Sequence, residues 1–313
     1  IKRATMKLCY YKDPVGNFGD DLNPWLWYGL APELFDDDSN TLLVGIGTVL
    51  SSKLPAAPRK LVFGSGVGYG ALPRIDGNWE FFCVRGPLSA EILRLDKSLA
   101  LSDPAVLITQ GMPPSTVERT GMVSFMPHHA SSRFANWQGI CDAAGINYLH
   151  PAANMHEIVA QIRQSRLVIA EAMHGAIVAD AFRTPWVPVV CYDHILRFKW
   201  DDWCQSLGMT YAPLQLERVW DDRMLAPRDL RKTQLKRQLL KAGIWSPAWT
   251  RPVPESNFDQ LKSQMAATLQ SIASNATSYL SEERNHLRSI DQLLEKLEQL
   301  KRARRLGLAA GRP

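Results

Sequence analysis

The chain has 313 residues, of which 46% are hydrophobic and 21% are charged, and its formal net charge is +5. This composition is typical of a globular protein with room for two domain cores, and no apolar run approaches the ~20 residues that a membrane-spanning helix needs. The net charge is too modest to predict a nucleic-acid partner.

The cysteines and the amino end indicate the compartment. No charged, apolar and small-residue signal opens the chain. The five cysteines are odd in number, never stand in CxxC spacing and mostly lie in apolar runs, so we expect buried thiols in a reducing compartment. The expected location is therefore the cytoplasm. The cysteines are Cys9, Cys83, Cys141, Cys191 and Cys204.

Short apolar strands that end in glycine open the chain. Residues 6–12, 41–46 and 61–63 have this pattern, and the first strand leads through GNFGDDLN into a helix. The glycine-rich loops favour contact with an anion or a sugar, whereas ordinary turns with a helix cap are the simpler alternative. The candidate contact residues are Asn17, Gly19 and Asp20 in the first loop and Gly64, Ser65 and Gly66 in the tract GSGVGYG.

Arg85 lies at the carboxyl end of the next predicted strand, residues 80–84, and a helix with proline at its first position follows. A guanidinium group suits a planar anion as well as a salt bridge, here with a carboxylate such as Asp103. Residues 101–108 (LSDPAVLI) are predicted to supply a further short strand after Asp103-Pro104. The polar, turn-rich residues 111–120 then predict a hinge between two domains.

A second α/β series follows, in which histidines leave the strands. His128 and His129 follow the strand predicted at 122–126. His174 follows the strand at 167–170, within a strand, helix, strand unit. Ligands of open α/β sheets bind beyond the carboxyl ends of the strands, so this edge is the predicted site. A zinc site is disfavoured because no third ligand stands at a recognisable spacing. Histidines with partners in a loop are the alternative.

The last third of the chain is predicted to be helical and basic. A helix from about residue 193 carries His194, Arg197 and Lys199 near its start. Residues 257–305 contain no proline or glycine, and their apolar positions step by three and four, so one long helix or two are expected. The stripe, which includes Leu287, indicates packing on the protein or pairing with another copy. The basic end 301–305 could instead contact an anionic membrane or simply be solvated.

In order along the chain, GNFGDDLN, GSGVG, CVRGPLSAEIL, LSDPAVL, PHH and EAMHGAIVADAFRTPWVPV, followed by YDH, resemble a polysaccharide pyruvyl transferase over about residues 6–209. The branch that modifies bacterial exopolysaccharides is the most similar. The resemblance implies an α/β fold of two Rossmann-like domains in a GT-B-like arrangement, over residues 1–115 and 116–220. Residues 221–313 then form a basic, mostly helical extension.

The resemblance also implies the chemistry. The donor is phosphoenolpyruvate, a co-substrate, with no cofactor or metal, and the acceptor is a glycan sugar, lipid-linked or nascent, on which a cyclic pyruvate ketal forms. The family's donor arginine falls on Arg85 and its catalytic histidine on His174. A family lysine falls near His194, for which Arg197 or Lys199 substitutes, and a family arginine is replaced by Ala172. His128 and His129 complete the expected donor site, or deprotonate the acceptor.

Two other functions fit the same features. A nucleotide-sugar glycosyltransferase would share the architecture and the glycine loops. A non-catalytic glycan-binding or assembly subunit would explain Ala172 and the basic helix. For the pyruvyl transferase we expect a cytoplasmic protein, peripheral on the inner face of the membrane through its basic carboxyl-terminal helix, that forms homo-oligomers and binds no nucleic acid.

Overall fold

The computed structural model describes residues 5–36, 40–112, 119–246 and 252–306. In the first half, four parallel strands form one sheet in sequential order. The strands are β1 (Lys7–Cys9), β2 (Thr41–Val44), β3 (Arg59–Phe63) and β4 (Trp79–Cys83), and the helices are α1 (Phe18–Leu30), α2 (Pro87–Ile92) and α3 (Ile108–Gly111). The order β1-β2-β3-β4 departs from the 3-2-1-4 order of a Rossmann sheet.

The second half forms a five-stranded parallel sheet in the order β6-β5-β7-β8-β9. Counted within this half, the order is 2-1-3-4-5, as in flavodoxin-like doubly wound folds, and the strand order reverses between β5 and β7. The strands are β5 (Val123–Met126), β6 (Asn147–Tyr148), β7 (Leu167–Ala170), β8 (Trp186–Val190) and β9 (Leu214–Gln215). The helices are α4 (Trp137–Ala144), α5 (Met155–Gln164), α6 (Met173–Ala181) and α7 (Arg197–Ser206).

The mixed α/β fold with parallel sheets is therefore confirmed, with one local correction. Residues 101–108, predicted as a strand, contain a 3-10 turn over Pro104–Leu107. The carboxylate of Asp103 accepts a hydrogen bond from the amide of Ala105, and proline at the first position has the φ that a helical turn needs. Residues 113–118 of the predicted hinge, which include the predicted domain boundary, lie outside the described residues.

Helix α6 is the element on which both halves pack. Every one of its residues except His174 is buried, and it contacts α1 and the Pro104–Leu107 turn of the first half as well as β7 and β8. One apolar cluster consequently includes residues of both halves. Because α6 is enclosed in this way, His174 is its one residue that is not buried.

Three helices follow the second sheet: α8 (Pro227–Lys241), α9 (Phe258–Asn275) and α10 (Glu283–Leu306). Helices α9 and α10 are separated where Tyr279 pairs with Trp186 and Ser281 donates to the Asp180 carboxylate, contacts that no local sequence signal predicts. Helix α9 packs on α4 and β7, and α10 packs on β4 and the Pro104–Leu107 turn. The apolar stripe is thus a core contact within the chain.

The structure also tests the expectations for the cysteines and for the apolar stripe. All five cysteines are free thiols, four of them buried, as predicted. Leu287, predicted to belong to the apolar stripe, is instead 50% exposed because the stripe restarts in a new register after the break at 276–282. Within the described ranges, no helix is both long enough and apolar enough to cross a bilayer.

Candidate active site

A cleft of about 580 Å³ lies where the carboxyl ends of the two sheets meet. The loops that follow β1, β2, β3, β5, β6, β7 and β8 all contribute to it. This is the edge at which ligands bind in open α/β sheets, and the loops after β5 and β7 flank the point where the strand order reverses. The polar and aromatic lining residues include Tyr10, Tyr11, Asn17, Asp20, Thr48, Lys53, Tyr69, His128, His129, His174, His194 and Lys199.

The start of α1 brings a carboxylate into the cleft. Asn17 caps the helix by accepting from the amide of Gly19, and its side-chain amide donates to Asp20 Oδ2 at 2.6 Å. Asp20 is 8% exposed. Burial raises the pKa of Asp20 to about 6, and Asp21 adds to this effect, while His174, Lys199 and the Asn17 hydrogen bond oppose it. The carboxyl group therefore changes charge close to neutral pH.

His174 is held between two residues of the first half. Its Nε2 lies 3.6 Å from Oδ2 of the fully buried Asp103, and neither atom has a hydrogen-bond partner within the described part of the chain. On the other side, a Cβ at Gly19 would lie only 2.0 Å from Nδ1, so only glycine leaves room for the ring. Residues of the first half of the chain therefore fix the position of a histidine from the second half.

Asp103 is a site residue to which the sequence analysis assigned no role at the site. The sequence suggests it only as a salt-bridge partner of Arg85, whereas the basic side chain that it faces is His174, at 3.6 Å. The signal in the sequence was the Asp-Pro pair after a strand, which marks a capped turn. That signal gives no information about a partner in the other half of the chain.

Arg85 lies behind the cleft wall. Its side chain is fully buried and donates to Asp202 Oδ2 at 3.0 Å, to Thr48 Oγ1 at 2.7 Å and to the carbonyl of Val67 at 3.1 Å. Thr48 lines the cleft, but Arg85 does not. The guanidinium is thus one residue removed from any bound molecule, and the carboxylate of Asp202 balances its charge.

The tract Gly64, Ser65, Gly66 also lies outside the cleft lining. A Cβ at Gly64 would lie 2.0 Å from the ring of Pro104, and one at Gly66 would lie 2.3 Å from Cζ of Arg85. The hydroxyl of Ser65 donates to the carbonyl of Gly47 at 3.1 Å. These residues allow the Pro104 turn and Arg85 to pack closely.

Lys199 brings a buried cation to the cleft. It is 7% exposed, and its Nζ donates to the hydroxyl of Tyr69 at 3.3 Å. Burial, together with the charge of Arg85, lowers the pKa of Lys199 to about 8 against the opposing effect of Asp20 and Glu171. Arg197, by contrast, is an exposed side chain that pairs with Asp201 at 3.1 Å and does not line the cleft.

Three histidines form a cluster on the wall of the second sheet. The ring centroids of His128 and His129 are 4.3 Å apart, those of His128 and His194 are 5.1 Å apart, and His194 Nε2 lies 3.1 Å from Ser131 Oγ. Burial lowers the pKa of His194 to about 4 and that of His128 well below its ordinary value. Both rings are therefore neutral at neutral pH. No group of three or more His, Cys, Asp or Glu residues suited to a metal ion occurs in the described ranges.

Glu171 ties the ends of three strands together beneath this cluster. It is fully buried, and its carboxylate accepts from the amide of His128 at 3.0 Å and from the amide of Cys191 at 2.9 Å. These bonds join the loops after β5 and β8 to the loop after β7. Glu171 therefore positions the histidine loops without lining the cleft.

Similarity to known proteins identifies the family of this chain. The family model described as polysaccharide pyruvyl transferase matches residues 14–194, which is more than half of the chain. The chain belongs to this family. This polysaccharide pyruvyl transferase is also 46% identical over 211 residues to the succinoglycan biosynthesis protein ExoV of Rhizobium meliloti (strain 1021), over 66% of this chain and 67% of that protein. No solved structure matches it.

Membership identifies the protein as a transferase and the cleft as its candidate active site. The matched region includes most of the cleft lining, from Asn17 to His194. Lys199 lies just beyond it on α7. Helices α8, α9 and α10 lie outside the match, as expected from the extent of the sequence resemblance.

Proposed function

We propose that this pyruvyl transferase moves pyruvate from phosphoenolpyruvate to a sugar of a bacterial exopolysaccharide, or of its lipid-linked repeat unit, and forms a cyclic ketal. The observation that carries the proposal is His174, the one α6 residue that is not buried, held between Gly19 and Asp103 at the edge of the cleft. A histidine is suited to give and take a proton near neutral pH.

Positive charge for the donor comes from two neighbouring features in this proposal. Lys199 is the buried cation of the cleft lining, and the N-terminus of α6 opens on the cleft at Ala172 and Met173. An ammonium group and the positive end of a helix dipole both attract carboxylate and phosphate groups. Together they would replace the family arginine that is absent at Ala172. Arg85 supports this site from behind through Thr48.

In the proposed reaction His174 protonates the methylene carbon of the donor. The electron pair of the C=C bond takes this proton, and a sugar hydroxyl bonds to the adjoining carbon. The C–O bond to phosphate then breaks, phosphate leaves with the electron pair, and a second hydroxyl closes the ring. Proton transfer and nucleophilic attack require no further cofactor, so the co-substrate is phosphoenolpyruvate alone.

We assign Asp20 to the acceptor side of the cleft rather than to the donor. A carboxylate repels a carboxylate and a phosphate, but it is a suitable base and hydrogen-bond acceptor for a sugar hydroxyl. With a pKa of about 6 it is mostly ionised at neutral pH. The rings of Tyr10, Tyr11 and Tyr69, which also line the cleft, offer apolar faces to a sugar.

The test is to incubate the protein with phosphoenolpyruvate and a panel of lipid-linked or synthetic glucosides, galactosides and mannosides, and to follow phosphate release and product mass. A product heavier by a pyruvate ketal is the expected result. Protection from unfolding by a nucleoside diphosphate, but not by phosphoenolpyruvate, would support a glycosyltransferase instead. Binding of glycan without any donor binding would indicate a non-catalytic subunit.

The finer architecture belongs to the same proposal. Two parallel sheets whose carboxyl ends line one cleft support a GT-B-like arrangement of two domains, with the boundaries 1–115 and 116–220 and a helical extension over 221–313. A lipid-linked acceptor would place the enzyme on the cytoplasmic face of the membrane. Homo-oligomer formation stays a prediction.

A further inference from the structure

Helix α8 is exposed on almost every side. Thr233 is its one buried residue, and Leu235 and Leu240 are 57% and 46% exposed. Ile244, just beyond the helix, is 60% exposed. A surface helix of a globular protein normally buries an apolar stripe against its own core. Leu235 and Leu240 of α8 instead lie on the outside of the molecule, and Leu230 and Leu239 are half-buried.

The net charge of the chain resides on this helix. Six basic residues and Asp229 give α8 a formal charge of +5, which equals the charge of the whole chain, so the remaining residues are neutral in sum. A local excess of this size in an otherwise balanced protein creates a positive surface field. The basic residues are Arg228, Arg231, Lys232, Lys236, Arg237 and Lys241.

Two of these cations are held by the protein. Arg237 makes two 2.8 Å hydrogen bonds to the carboxylate of Asp222, and Lys241 pairs with Glu255 at 2.6 Å. The other four have no ion pair with any carboxylate of the described ranges. With 100° per residue, these four share an arc of about 140° with Leu235 and Leu239. We call this set the outer face: Arg228, Arg231, Lys232, Leu235, Lys236 and Leu239.

We propose that the outer face of α8 docks on the anionic phospholipid surface of a membrane. Basic side chains gain from negative headgroups, and the leucines between them gain from the boundary of the acyl chains. A nucleic acid or an acidic glycan would also neutralise the charge, but neither offers an apolar phase to Leu235. The combination of cations without ion pairs, the exposed Leu235 and the half-buried Leu239 on one face therefore favours a bilayer.

The contacts of α8 connect it to the cleft. Asp222, which binds Arg237, lies two residues after Trp220, whose ring centroid is 5.1 Å from that of Tyr192. Tyr192 in turn stacks on the cleft residue His194 at 5.7 Å. Docking through α8 would thus hold at the membrane a helix that is linked by contacts to the cleft wall. Only this functional consequence, access to a lipid-linked acceptor, rests on the proposed function.

The basic end of α10, which the sequence analysis considered for membrane contact, is less suited to it. Arg304 is 6% exposed and donates to the carbonyl of Thr5 at 2.7 Å, and Lys301 pairs with Glu298 at 3.2 Å. Part of this basic run is therefore used to pack the helix against the start of the chain. Exposed arginines elsewhere on α10 make a matched control for α8.

The experiment compares binding of the full-length protein to vesicles of phosphatidylcholine alone and of phosphatidylcholine mixed with phosphatidylglycerol. The test variant carries Arg228→Gln, Arg231→Gln, Lys232→Gln and Lys236→Gln. The control variant loses the same charge from α10, through Arg284→Gln, Arg288→Gln, Arg302→Gln and Arg305→Gln, all at exposed positions. Circular dichroism and thermal unfolding verify that both variants fold.

We expect the wild type to bind the anionic vesicles and the control variant to bind within a few-fold of it. The α8 variant should bind roughly 100-fold more weakly or worse, because each basic residue beside an anionic surface contributes about a fivefold factor. Leu235→Ser, which keeps every charge, should also weaken binding. Equal binding to neutral and anionic vesicles, an equal loss in the α10 control, or binding of RNA without binding of vesicles would each overturn the proposal.

A parallel activity measurement keeps this inference separate from the proposed function. With a soluble glycoside as acceptor, the α8 variant should match the wild type, because no residue of the outer face lines the cleft. With an acceptor embedded in anionic vesicles, the variant should be slower. Vesicle binding without any pyruvyl transfer would leave docking standing and reject the proposed reaction.

Discussion

Two pairs of a buried carboxylate and a basic side chain join the halves of the molecule, and they differ in how fully their hydrogen bonds are satisfied. Arg85 uses Asp202, Thr48 and Val67 as partners, and the Asp202 carboxylate also accepts from the amide and hydroxyl of Ser89. In the other pair, Asp103 Oδ2 and His174 Nε2 lie 3.6 Å apart, and neither has a hydrogen bond among the described residues.

This difference distinguishes a pair that stabilises the fold from a pair that is available for catalysis. A buried charge whose hydrogen bonds are all satisfied has nothing left to offer a substrate, and its removal leaves its partner uncompensated. A carboxylate and an imidazole at ion-pair distance, with the imidazole at the edge of a cleft, retain the capacity to change partners or protonation during a reaction. Catalytic contacts are often long in the free enzyme and tighten when substrate binds. The first pair should therefore respond to mutation in stability, and the second in turnover.

The largest effect is expected from His174→Ala. Loss of a general acid typically costs 10²–10⁴ in rate, so kcat per folded molecule should fall by about a thousandfold. The measurement is phosphate release at saturating donor, together with a thermal unfolding curve. His156→Ala, at an exposed histidine of α5, is the control and should retain full activity. A large drop in the unfolding midpoint with activity preserved would make His174 a structural residue.

Arg85→Met should mainly lower the free energy of unfolding. The substitution leaves the Asp202 carboxylate buried and unpaired, which costs about 3–5 kcal/mol of unfolding free energy. Denaturant titration measures this cost, and the activity per folded molecule should fall much less. The double variant Arg85→Met with Asp202→Asn should recover part of the loss, because the amide carries no charge. Full stability with abolished donor binding would show that Arg85 contacts the donor directly.

The two pairs also show which features of the molecule could be predicted from the sequence. Most of the strands, and the place of His174 just after one of them, could be predicted because apolar runs and the residues that follow them are local signals. The environment of Arg85 could not, because its neutralising partner lies 117 residues away. Asp103 was missed for the same reason, and the break between α9 and α10 depends on Tyr279 pairing with Trp186. Local patterns predict elements, whereas partners across the two halves depend on tertiary structure.

A smaller effect is expected from Asp103→Asn, which removes the charge beside His174 and keeps the shape of the side chain. We expect kcat to fall roughly 10- to 100-fold, as for a residue that orients a ligand or a base, with the KM for donor unchanged. The hydrogen bond from Ala105 can persist, since the amide oxygen still accepts. Asp103→Glu, which restores the charge at a shifted position, should recover part of kcat. A rise in donor KM without a change in kcat would place Asp103 at the donor instead.

The smallest effect concerns pH and tests Lys199. The ammonium of Lys199 is charged below its pKa of about 8, so donor affinity should decline as pH rises through that value. On the acidic side Asp20 must lose its proton to act as a base, so kcat should rise with pH through about 6. Lys199→Arg keeps its charge well above pH 8, so the alkaline rise in donor KM should disappear while the acidic limb stays in place. Equal alkaline limbs in both proteins would mean that another group sets donor affinity, and Lys199 would then have no part in holding the donor.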